Sequence, residues 1–152
     1  PTIGVVTNVG KSHIELLGSQ ENIAKAKSEL VQALDAQGTA VLNEDDDFVR
    51  PMASLCRGSV ISYGTKETAA VRADDVRMDK SGLHFTCHCA DKTFAVQVPV
   101  IGRHHVYNAL ASVQQSLPML VSAPSHAFPF QRRRPDGLLS AAAAFSASRF
   151  HY

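Results

Sequence analysis

Thr2-Ile3-Gly4-Val5-Val6-Thr7, running straight into Asn8-Val9-Gly10, is an uncharged, β-branched segment that ends on turn formers. With no polar residue at alternate positions it reads as a buried strand. The loop after it then lies at the carboxyl end of a strand, where ligands bind in an open α/β sheet. Working outward, Ser19 is placed to cap a helix and Glu21 falls in its first turn, where the helix dipole favours an acid. The apolar pattern runs to about Ala36, with Gly38 as a stop. Thr39–Leu42 is a second buried strand, followed by Asn43-Glu44-Asp45-Asp46, a helix within Asp47–Cys56 limited by Pro51, and a strand at Val60–Tyr63. This alternation predicts an α/β fold, a mostly parallel sheet with covering helices. From about 69 to 100 the texture changes to strands joined by turns at Lys80-Ser81-Gly82 and Ala90-Asp91-Lys92, a small antiparallel meander. His105–Ser116 reads as the beginning of another helix.

The composition is not uniform. Residues 1–113 carry 11 Lys+Arg against 13 Asp+Glu, whereas residues 114–152 carry 4 Arg and a single acid, Asp136. Four of the seven prolines also fall after residue 113, so the expectation there is a largely irregular tail with a short helix near Leu138–Phe145. The net charge of +1 argues against a nucleic-acid binder. No apolar run reaches membrane-spanning length, residues 1–20 lack a signal-peptide pattern, and three cysteines form no disulfide framework. A cytoplasmic protein of unknown oligomeric state is the expectation.

Four groups of residues carry chemistry. Lys27 lies between Ile23, Leu30, Val31 and Leu34 when the first helix is drawn at about 100° per residue, so a lysine is expected on the inward stripe. It is either a stem packed on apolar surface or a functional amine at the sheet's edge. Asn8 and His13 belong to the loop after the first strand. Asn43, Asp45 and Asp46 follow the second strand and reach the same edge; such side chains suit ribose hydroxyls or hydrated magnesium, and equally local turns. Cys87 and Cys89 share one strand parity and His84 and His88 the other, which predicts buried thiols rather than a metal cluster. Gly10-Lys11-Ser12 is not a phosphate loop, because the glycine required five positions earlier is Val5.

The ordered set Thr7-Asn8-Val9-Gly10-Lys11-Ser12-His13-Ile14-Glu15, Leu17-Gly18-Ser19, Ala26-Lys27-Ser28-Glu29-Leu30, Val41-Leu42-Asn43 with Asp45-Asp46, Ser62-Tyr63-Gly64 and Gly102–Ala111 resembles the central domain of the Mur ligases. The resemblance covers about residues 1–113 and leaves 114–152 as a tail outside it. It implies an ATP-dependent amide-forming enzyme of peptidoglycan assembly. Within the family the pattern is most similar to the type that joins D-alanyl-D-alanine to UDP-N-acetylmuramoyl-tripeptide through an acyl phosphate. The tripeptide-forming type and the folylpolyglutamate synthetases are the alternatives inside this class, and a non-catalytic α/β binding module is the alternative outside it. The resemblance further implies that Lys27 is carbamylated and bridges magnesium, that His13 holds a magnesium ion, that Asn43 and Asp46 flank the nucleotide, and that Asn108 lies near the adenine.

The departures are equally specific. The family's glycine-rich phosphate loop and metal-binding glutamate precede the strand with which this chain begins. His105 stands where the family reads asparagine, and the likeness ends near Val113. The expectation is a fragment, its tail a frameshift product, that is inactive by itself.

Overall fold

The computed structural model describes residues 1–10, 18–122 and 139–140, with side chains as far as residue 113. Two compact units divide the chain, Pro1–Arg72 and Ala73–Tyr152.

The first unit is built on parallel strands. β1 (Ile3–Val6) pairs with β2 (Thr39–Asn43) in the register Ile3↔Thr39 to Val6↔Leu42. β2 pairs with β3 (Ser59–Gly64) from Thr39↔Ser59 to Asn43↔Tyr63. The first residues of β4 (Val71–Asp79) continue the parallel pattern, Tyr63↔Val71 and Gly64↔Arg72. The crossovers from β1 to β2 and from β2 to β3 are α1 (Gln20–Gln32) and a 3-10 helix (Arg50–Leu55), whereas β3 reaches β4 through residues 65–70.

Ser19 caps α1 as its sequence predicts, the backbone extended and Oγ accepting from the Asn22 N–H at 3.2 Å. The helix ends at Gln32 rather than near Ala36. Asp35 supplies the reason: its Oδ1 accepts from the Gln37 N–H at 2.9 Å and its carbonyl from the Gly38 N–H at 3.0 Å, a local turn that competes with helical pairing. Pro51 stands at the start of the 3-10 helix, where its missing N–H costs nothing.

The core of this unit lies between the strands and the helices: Val6, Val9, Ile23, Val31, Leu34, Ala40, Leu42, Val49 and Met52 form one buried cluster. Gly4 lets α1 approach β1, since a Cβ there would stand 3.3 Å from Leu30 and 3.4 Å from Leu34. At the start of the strands Gly58 abuts Gly38: a Cβ on Gly58 would collide with the Gly38 carbonyl and lie 2.8 Å from that of Asp35, and the Ser59 N–H donates to the Gly38 carbonyl at 2.9 Å.

The second unit is antiparallel. β4 and β5 (Gly82–Cys89) are neighbours joined by two residues, a link that only an antiparallel pair permits. β5 and β6 (Lys92–Val98) pair from Leu83↔Val98 to Cys89↔Lys92. Leu83, Phe85, Cys87 and Cys89 are buried on one face, and α2 (His105–Ser122) packs against β5, with Val106, Leu110 and Ala111 buried. The opposite parity carries His84, Thr86 and His88.

Two expectations for residues 114–152 change. α2 continues through Pro118 to Ser122, because a proline within a helix removes one backbone bond and need not end it where apolar residues sustain the pattern. Leu139 and Ser140, expected within a short helix, form the strand β7 beside Val96 and Gln97 of β6; pairing with a distant strand overrides the local preference. The remaining positions of that expected helix lie outside the described residues. Among the described residues no helix is long and apolar enough to cross a membrane.

Candidate functional site

At the carboxyl ends of β1, β2 and β3 the chain makes three exits, and the turn Asn43–Asp46 ties them together. Toward β1, Asn43 Nδ2 donates to the Thr7 carbonyl at 2.8 Å, and Asp46 Oδ2 accepts from the Val9 N–H at 2.9 Å. Toward β3, Asp45 Oδ2 accepts from the Thr65 N–H and Oγ1, both at 2.7 Å, and Asp45 Oδ1 from the Lys66 N–H at 3.3 Å. The Glu44 N–H donates to the Tyr63 carbonyl at 2.8 Å, and Lys66 Nζ to the Glu44 carbonyl at 3.2 Å. Asn43 is 4% exposed and both ends of its amide are used, since Oδ1 accepts from the Asp45 N–H at 3.0 Å. A buried amide so placed avoids the cost of an unpaired polar group.

Lys27 reaches the same exit from α1. Its Nζ donates to the Asn8 carbonyl at 2.7 Å. The residue is exposed, which corrects the expectation that it lies on the inward stripe. The buried face of α1 is Ile23, Ser28 and Val31, and Leu30 beside Lys27 is itself 38% exposed. The helical wheel gives angles about the helix but not where the sheet beneath it stops. A cleft of about 300 Å³ lined by Val5, Val6, Thr7, Lys27 and Leu30 opens beside β1.

Of the expected site residues, Lys27, Asn43 and Asp46 thus converge on the main chain of Thr7–Val9. His13 lies outside the described residues. Asn108 belongs to the second unit, half-buried in the first turns of α2, its carbonyl accepting from Ser112 Oγ at 2.9 Å. Just before it His105 Nδ1 is buried with no hydrogen-bond partner among the described residues, its ring centroid 4.2 Å from that of His104. Two contributors to the β1 exit escaped the sequence reading. Gln20 Nε2 donates to the Val9 carbonyl at 3.2 Å, and the hydroxyl of the fully buried Tyr63 to the Val6 carbonyl at 3.4 Å. Tyr63 had a signal: a tyrosine in a buried strand needs a partner for its hydroxyl.

The edge carries the carboxylates of Glu44, Asp45 and Asp46 beside the amine of Lys27. Among the described residues no three His, Cys, Asp or Glu side chains converge on one point. Both oxygens of Asp46 are occupied by backbone N–H groups, since Oδ1 accepts from Phe48 at 2.9 Å and Val49 at 3.0 Å. Lys27, exposed and facing open space, has room for carbon dioxide to add to Nζ, which would turn an ammonium into an oxygen donor. That donor type suits magnesium, a hard cation that takes oxygen ligands and keeps several waters.

The second unit offers other polar groups. His84 Nε2 lies 2.8 Å from Ser81 Oγ and 3.2 Å from Asp79 Oδ1, and His88 Nε2 lies 3.0 Å from Asp74 Oδ2. Ser81, His84 and Asp79 are not a nucleophilic triad, because one ring nitrogen serves both partners where a relay needs two. The Ser81 hydroxyl and amide, with His84, hold the Asp79 carboxyl at about 2. Burial pushes the Cys87 thiol up to about 12 and that of Cys89 upward as well, so both are inert packing groups, as their strand parity predicts.

The family model for the Mur ligase middle domain matches residues 1–115. A UDP-N-acetylmuramoyl-tripeptide--D-alanyl-D-alanine ligase of Mycobacterium bovis is 40% identical over 135 residues, covering 82% of this chain. A UDP-N-acetylmuramate--L-alanine ligase of Xylella fastidiosa is 39% identical over 114 residues, covering 74%. The chain spans about a quarter of the length of each, 26% and 24%. Among solved structures, MurF from Acinetobacter baumannii superposes with a TM-score of 0.71 over 89% of this chain and 32% of that one, at 24% identity. MurF of Thermotoga maritima in complex with ADP superposes with a TM-score of 0.63 over 78% of this chain and 28% of that one, at 20% identity. These two likenesses are of fold.

Proposed function

The chain belongs to the Mur ligase family through that family's middle domain, and on that premise we propose that it is part of an ATP-dependent ligase joining D-alanyl-D-alanine to UDP-N-acetylmuramoyl-tripeptide. The observation that carries the reading is the likeness to the Mycobacterium bovis ligase along most of the chain. Lys27, an exposed amine at the carboxyl end of β1, adds chemical support.

In this reading a carboxylate oxygen of the UDP-linked peptide attacks the γ-phosphorus of ATP. The bond to the β,γ-bridging oxygen breaks and ADP leaves. The amine of D-alanyl-D-alanine then attacks the acyl carbon, the carbon–oxygen bond to phosphate breaks, and the nitrogen gives up a proton. Lys27 as a carbamate and His13 would hold magnesium, which supplies charge neutralisation for the transferred phosphoryl group. Asn43 and Asp46 flank the nucleotide and keep the β1 exit in place, and Asn108 lies near the adenine. The residues 1–152 contain no Walker phosphate loop, and we expect no ATP hydrolysis from them alone.

A chimera tests this: residues 1–113 replace the matching segment of the Mycobacterium bovis ligase. The expected result is phosphate release that depends on both the UDP-linked tripeptide and D-alanyl-D-alanine. Lys27→Ala in that chimera is expected to lose activity at least about a hundredfold and to regain part of it with a short-chain carboxylic acid. A chimera that folds but does not ligate overturns the assignment; full activity of Lys27→Ala overturns the role of Lys27.

A further inference from the structure

Three successive carbonyls, those of Thr7, Asn8 and Val9, are taken by side chains of Asn43, Lys27 and Gln20, and the Val9 N–H by Asp46. Such convergence of side chains on one stretch of main chain fixes its path more firmly than any single contact. Asp46 is the member with two tasks. Its Oδ1 accepts from Phe48 and Val49, two and three residues on, while its Oδ2 reaches Val9 across 37 residues. The first pair is what a local turn needs. The long-range bond is a separate commitment of the same carboxylate.

This commitment matters for what Lys27 becomes. Addition of carbon dioxide to the deprotonated amine forms an N–C bond and releases one proton, leaving a nitrogen with a single N–H. The Asn8 carbonyl, at 2.7 Å from Nζ, is the acceptor in place for that N–H. A carbamate held by one such bond directs its carboxylate away from Asn8, provided that Asn8 does not move.

We propose that Asp46 is a positioning residue for Lys27: by holding the Val9 N–H it fixes the Asn8 carbonyl, which in turn orients the carbamate on Nζ. The proposal rests on the reading of Lys27 given above and adds to it the residue that aims the modified group. Asp46 acts through main chain and has no need to touch nucleotide or metal.

Asp46→Asn separates the two tasks, because an amide has one acceptor oxygen and can serve the local turn or Val9, not both. The experiment uses the full 152-residue chain, labelled with ¹⁵N and supplied with ¹³C-bicarbonate at fixed pH. In Asp46→Asn the exchange of the Val9 amide is expected to quicken at least about tenfold while Phe48 and Val49 keep their protection. The ¹³C-carbamate signal of Lys27, identified by its loss in Lys27→Ala, is expected to fall severalfold. A carbamate signal that falls while Val9 keeps its protection overturns the proposal, as does a freed Val9 with an undiminished carbamate signal. A wild-type chain with no carbamate signal overturns the Lys27 reading, and this proposal with it; the other two outcomes leave that reading standing. Should Asp46→Asn unfold the chain or leave both signals unchanged, Asp46→Glu, which displaces both acceptor oxygens by one methylene, puts the same question to the same two signals.

Discussion

The turn after β2 in the first unit and the β4–β5 turn in the second spend their polar side chains in opposite ways. In Pro1–Arg72, Asn43 and Asp46 bond main-chain groups 36 and 37 residues away. In Ala73–Tyr152, His84, Ser81 and Asp79 bond one another within five residues on an exposed hairpin. Long-range bonds from side chain to main chain fix where a strand's exit goes; short-range bonds between side chains fix only the turn that contains them. A residue of the first kind is costly to lose because its partner is left buried and unpaired, whereas one of the second kind leaves its partners to water. The chemistry-bearing residues fall where the first kind of bond is made.

The largest effect expected concerns the core beneath the first unit. Leu34 is fully buried in the cluster between α1 and the strands, and Leu34→Ala should cost about 2–5 kcal/mol in denaturant unfolding. A cost much smaller than that would mean the strands are held mainly by their polar exits. Next, Asn43→Ala removes the partners of the Thr7 carbonyl and the Asp45 N–H and should cost about 1–3 kcal/mol. His84→Gln in the second unit should cost less than about 1 kcal/mol. Equal costs for the two would erase the distinction between the two turns.

A subtler effect is a titration. Asp79 has its pKa lowered from 3.8 to about 2 by the Ser81 hydroxyl and amide. A depressed carboxyl adds stability above its unfolded value, and the gain is lost as pH falls from about 4 through about 2. Ser81→Ala should return the Asp79 titration, followed by carboxyl ¹³C shifts, toward 3.8. No movement would mean that the Ser81 amide and His84 carry the shift without the hydroxyl. The least perturbing test is thiol labelling at pH 8: half-buried Cys56 should react in the folded chain, while Cys87 and Cys89 should react only on unfolding.

Much of this arrangement is legible in the sequence because it is local. β-branched runs gave β1 and β2, Ser19 and Pro51 marked helix starts, and strand parity separated the thiols from the histidines. That Asn43 and Asp46 share an edge with Asn8 followed from parallel order alone. Which groups they touch did not, since the partner of Asp46 lies 37 residues away and nothing about Val9 announces a need for a carboxylate. The exposure of Lys27 was misread for a similar reason: periodicity ranks the faces of a helix but cannot show how far the covered sheet extends. The strand at Leu139–Ser140 depends on an edge offered by β6, which no local propensity encodes.

At the opposite end of the parallel strands, the meeting of Gly38 with Gly58 has a bearing on re-engineering this chain. Because the two connections touch backbone to backbone there, one added residue in either would have to bulge outward or slide β2 against β3, turning every inward side chain of the slipped strand to the wrong side. Grafts and permuted termini belong away from that seam.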